Sequence, residues 1–72
     1  MIELRFHRDL YAGEDVDAAI KAFAAVARCE QEAADDAFVV RVEPLYPKHA
    51  RRIVGELGNY ALARTIERGG RR

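Results

Sequence analysis

A lone cysteine, Cys29, excludes any intrachain disulfide and fits a reducing compartment. It also excludes an iron–sulfur cluster, which needs three or four thiolates. Tryptophan is absent, and Phe and Tyr contribute only three residues each, so the core must be small. Net charge is missing as well: 12 Lys and Arg cancel 12 Asp and Glu, which removes the global field of a general nucleic-acid or membrane binder. No apolar run approaches the roughly 18 residues of a membrane span, and the start, Met1-Ile2-Glu3-Leu4-Arg5-Phe6, has no cationic segment leading into an apolar one. A cytoplasmic location without membrane association is therefore expected.

At 72 residues there is room for one compact unit, expected over residues 1–68 with 69–72 as a frayed tail. A core of this size seldom supplies more than about 3–5 kcal/mol, so a homodimer or a partner protein is the expected reinforcement. The charges are segregated: residues 1–43 hold 5 basic and 10 acidic side chains, and residues 44–72 hold 7 and 2. Such halves can attract one another within a molecule or across a dimer.

Ile2, Leu4 and Phe6 alternate with Glu3, Arg5 and His7, the period of a half-buried strand. The strand continues weakly through Leu10 and Tyr11 to a turn at Ala12-Gly13. Glu14, Asp15 and Asp17 then crowd a helix start, where carboxylates cap backbone N–H groups and meet the positive end of the dipole. Val16, Ala19, Ile20, Phe23, Val26 and Ala27 follow at steps of three and four, forming one apolar stripe. Residues 28–34 break the stripe at Cys29 and read better as a strand than as helix, with Asp35-Asp36 as the tight connection that follows. Ala37 to Glu43 is the strongest strand in the chain and is expected at the centre of the sheet. Pro44 and Pro47 end it, and a second helix runs from about Lys48 to Glu67, burying Ala50, Ile53, Val54, Leu57, Tyr60 and Ala61. The fold class is α/β (α+β): a two-layer βαββα domain with a small sheet and two helices on one face, or βαβα if 28–34 stays helical.

Chemistry-bearing motifs are sparse. His7 and His49 stand far from Cys29 in sequence and match neither a nucleophile–base pair nor a metal-ligand spacing, so no catalytic, cofactor-binding or metal residue is assigned. The acidic stretches lack the alternating ligands of a calcium loop, and the glycines form no phosphate loop. Gly55 and Gly58 are more informative, because each costs a helix roughly 1 kcal/mol relative to Ala and so points to a close approach by another backbone. Together with Asn59, Tyr60, Leu62 and Ile66 they are the interface candidates. Arg51, Arg52, Arg64 and Arg68 are the basic-surface candidates, which leaves nucleic-acid binding as an alternative to protein binding.

Leu57-Gly58-Asn59-Tyr60-Ala61-Leu62-Ala63-Arg64 resembles the signature of the small HxsD proteins of the His-Xaa-Ser system, roughly L-x-N/D-Y-x-L-x-R/E. The context is similar too: an N-terminal strand, a helix, and a Val-rich strand ending in Glu43-Pro44 before the last helix. The chain departs from the pattern where Leu57-Gly58 replaces a doubled Leu and Asn59 replaces an acid. The resemblance implies a bacterial accessory protein encoded with radical S-adenosylmethionine enzymes and a repeat-bearing peptide, without cofactor or established activity of its own. Its expected partners are a radical SAM maturase or the substrate peptide.

Overall fold

The computed structural model describes residues 2–67 and Gly69. Its elements run β1 (Ile2–His7), α1 (Gly13–Ala22), β2 (Ala27–Ala33), β3 (Ala37–Pro44), a 3-10 turn (Pro47–His49) and α2 (Ala50–Glu67). This is the βαββα order, with residues 28–34 extended rather than helical. The strands form one antiparallel sheet ordered β1-β3-β2, so the Val-rich strand lies in the middle.

Register places Phe6 opposite Phe38, Leu4 opposite Val40 and Ile2 opposite Val42, with Cys29 paired to Val42 on the other side. Phe6, Phe38, Val40 and Val42 therefore share one face, and they join Val16 and Ala19 of α1 and Ile53, Leu57 and Ala61 of α2 in a single core. Both helices thus cover the same face. The opposite face is charged: Arg41 reaches Glu32 at 3.0 Å and Glu3 at 3.8 Å, tying both outer strands to the central one.

Three local expectations need correction. First, β1 stops at His7, because the N–H groups of Leu10 and Tyr11 both turn back to the His7 carbonyl, at 3.1 and 2.9 Å. Tyr11 then packs edge-on against Phe6 with centroids 5.0 Å apart, while Leu10 is left exposed. Second, Gly13 is the first residue of α1 and does not have positive φ. What constrains it is space, since a Cβ there would lie 3.3 Å from the Phe38 ring. Third, α1 ends at Ala22 instead of reaching Ala27. The N–H groups of Val26 and Ala27 both donate to the Phe23 carbonyl, reversing the chain so that Ala27 can pair with Pro44. Pairing along the open side of β3 overrides the helical propensity of Ala24-Ala25.

The β2–β3 connection at Asp35-Asp36 is as tight as its residues imply, with Ala34 N–H donating to Ala37 O at 2.8 Å. β1 clasps this tip. Arg5 pairs with the Asp36 carboxylate at 3.2 Å, and Arg8 donates to the Ala34 carbonyl at 3.0 Å while lying over the Phe38 ring. At the other end of the chain, Gly69 adopts φ +88° and donates its N–H to Ile66 O, a conformation that glycine permits just past a helix end. The rest of the expected tail, residues 70–72, lies outside the described residues.

Asp15 stands in the first turn of α1, at the positive end of the helix dipole as expected, and is also part of the buried interior. The N-cap of α1 is Ala12, which offers no side-chain cap, and Asp15 is fully buried against α2. Its Oδ1 lies 3.4 Å from Nε of Arg64, a residue whose side chain is 42% exposed. Taking Arg64 away removes a cationic partner of a buried carboxylate, so Arg64→Ala should destabilise the fold by about 1–3 kcal/mol, a range lowered by solvent screening of the exposed guanidinium. Arg52→Ala, which breaks an exposed i,i+4 pair with Glu56, should cost about 0.5 kcal/mol or less. Urea melts of the two variants check the contrast.

Candidate binding groove

The turn that ends α1 leaves Phe23 beside α2, where its ring meets Tyr60 edge-on at 6.0 Å between centroids. Tyr60, expected in the buried stripe, is therefore 38% exposed and packs against α1 rather than into the core. Thr65 takes the next place on the inner stripe after Ala61, its hydroxyl donating to the Ala61 carbonyl at 2.8 Å. Below this junction, Val26 accepts the Leu45 N–H at 2.9 Å and so anchors the chain leaving β3. Tyr46 follows with extended backbone, and its carbonyl accepts the His49 N–H to begin the 3-10 turn.

Between these walls lies an open groove of about 410 Å³. Ala22, Phe23 and Val26 form one side, Tyr46 and His49 the end, and Arg52, Ile53 and Glu56 the other side. Its floor is apolar, while its rim carries a phenol, an imidazole and the Arg52–Glu56 ion pair, closed at 3.2 Å. The arrangement suits an apolar side chain held on a segment whose polar backbone meets the rim.

Cys29 sits apart, half-buried on β2 and lining a smaller hollow with Ile20, Ala24, Ala27, Arg28 and Leu45. Neither histidine lines that hollow. Burial raises the thiol above its ordinary value, the opposite of what activates a nucleophile. Among the described residues, no group of three or more His, Cys, Asp and Glu is placed to hold a metal ion, and no helix is long and apolar enough to cross a membrane.

The interface candidates divide. A Cβ at Gly55 or Gly58 would meet nothing within 4 Å, so among the described residues nothing makes the close approach expected of these glycines. Gly55, Asn59, Leu62 and Ile66 lie along the outer side of α2, away from the groove. Of the basic candidates, Arg51 is exposed, Arg52 and Arg64 are engaged by Glu56 and Asp15, and Arg68 lies outside the described residues. The groove itself was not assembled from the sequence, because Phe23 read as core and Tyr46 and His49 as linker and helix start. The usable signal was Tyr46 between two prolines, a large aromatic in a segment too short to bury it.

No family model matches the chain, and no curated protein or solved structure matches it either.

The raised thiol has a measurable consequence. Alkylation of Cys29 by iodoacetamide, followed by mass spectrometry across pH, should show a midpoint above that of a short cysteine peptide. A midpoint at or below the peptide's would mean that the fold stabilises the thiolate.

Proposed function

We propose that this protein is a non-catalytic adaptor that binds a peptide segment, either a substrate peptide or a segment of a radical SAM maturase, in a ribosomal-peptide modification system. The observation that carries the binding role is the groove between the end of α1 and the start of α2, with its apolar floor and polar rim. The peptide-modification context rests on the resemblance of residues 57–64 to the HxsD signature. Phe23, Val26 and Ile53 receive an apolar side chain of the segment. The Tyr46 hydroxyl, His49, and the Arg52–Glu56 pair meet its backbone and polar groups. Nucleic-acid binding through α2 is the weaker reading, because Arg52 and Arg64 already have acidic partners.

The test is calorimetric titration of the protein with a radical SAM maturase and with a repeat-bearing substrate peptide of a His-Xaa-Ser system. At least one should bind, and Tyr46→Ala should weaken binding by about tenfold or more. Tyr46 is more than half exposed, so this variant keeps the fold intact. Affinity should change little between low and moderate salt, unlike phosphate contacts, which give a steep dependence. Absence of binding to both would overturn the reading.

A further inference from the structure

A second hollow adjoins the groove. Tyr46 and His49 line both spaces, and with Pro47 and Lys48 they enclose a further volume of about 300 Å³ whose walls are almost wholly apolar. A segment seated in the groove therefore meets another apolar seat as it crosses Tyr46, a ring left 53% exposed.

Charge decides what that segment carries besides its apolar side chains. Residues 44–55 contain Lys48, His49, Arg51 and Arg52 and no acid. Arg52 is already held by Glu56, so it adds little free charge. Lys48 lines the second hollow, and Arg51 follows it by three residues, which sets both on one side of the chain as the 3-10 turn passes into α2. Both are exposed, and among the described residues neither has an acidic partner. The first turn of α2 holds no acid either, whereas that of α1 holds Glu14 and Asp15. The apolar seats are thus bordered by positive charge that the described chain leaves uncompensated.

We propose that the groove takes an anionic peptide segment. Apolar side chains fill the two hollows, and Asp or Glu side chains beside them meet Lys48 and Arg51. This names the chemistry of the peptide in the binding role proposed above, and it rests on that reading. Contacts to separate carboxylates release no condensed counterions, so the small salt dependence expected there is kept. A nucleic acid fits less well, because two cations reach few phosphates and the hollows are walled for apolar groups.

The test is selection from a phage-displayed library of short random peptides on the immobilised protein, with Tyr46→Ala as a parallel bait. Peptides enriched on the wild type and lost on Tyr46→Ala should combine apolar residues with an excess of Asp and Glu over the unselected library. The double variant Lys48→Glu with Arg51→Glu changes two exposed residues and puts acids at the favourable end of the helix dipole, so circular dichroism should show the helices retained. Its selected peptides should turn to Lys and Arg with the apolar pattern unchanged. A synthetic copy of the most enriched acidic peptide should bind this variant about tenfold or more weakly than the wild type. Tyr46-dependent peptides without an acidic excess, or a preference that the double variant leaves untouched, overturn the anionic proposal while the peptide groove stands. Selection that yields no Tyr46-dependent peptide overturns both. A single-stranded oligonucleotide that outcompetes the acidic peptide, or self-association abolished by Tyr46→Ala, would give the groove to a nucleic acid or to a second copy and overturns the proposal as well.

Discussion

β3 must find hydrogen-bonding neighbours on both sides and a cover on one face, and the rest of the chain is arranged to supply them. Its two partners come from opposite directions in sequence: β2 by a tight hairpin, β1 from before the helix. Since both are antiparallel to β3, they run parallel to each other with one strand between, and α1 is the crossover that links them. It has to travel only about two strand spacings, near 10 Å, across the sheet. Ten residues of helix suffice. The reversal at Phe23 is the consequence, because a longer α1 would take Val26 and Ala27 away from the point where β2 begins.

The long C-terminal helix then seals what α1 leaves uncovered, and the Asp15–Arg64 pair joins the two helices. This ion pair also joins the acidic and basic halves of the chain. Among the described residues, Arg5–Asp36, Arg28–Glu43 and Arg41–Glu32 lie within the first half and Arg52–Glu56 within the second.

Much of the architecture was legible because period-two and period-four patterns are strong in β1, β3 and α2, and because Cys29 breaks the apolar stripe and so marks residues 28–34 as extended. What escaped was set by neighbours distant in sequence. Asp15 stands four residues before Ala19, so it was on the buried stripe all along, and its charge concealed it. Thr65 was hidden in the same way, being the polar end of the Ile53, Leu57, Ala61 row. No local rule stops a helix at Ala22 when Phe23-Ala24-Ala25-Val26 follows, and so the groove, which depends on that stop, could not be anticipated. The exposure of Leu62 and Ile66 was legible, since both fall to one side of the inner stripe.

The placement of charge on the outer strands bears on solubility. A three-stranded sheet has two open edges, each a row of backbone groups able to recruit further chains without limit. Here β1 is only six residues long, and β2 carries Arg28, Glu30, Gln31 and Glu32 in nearly unbroken succession, all exposed. Stacking β2 of one molecule on β2 of another would bring carboxylates together and strip water from them, so the edge repels its own kind. The charged side chains of β2 thus oppose open-ended addition of further strands at an edge whose backbone groups stay uncovered.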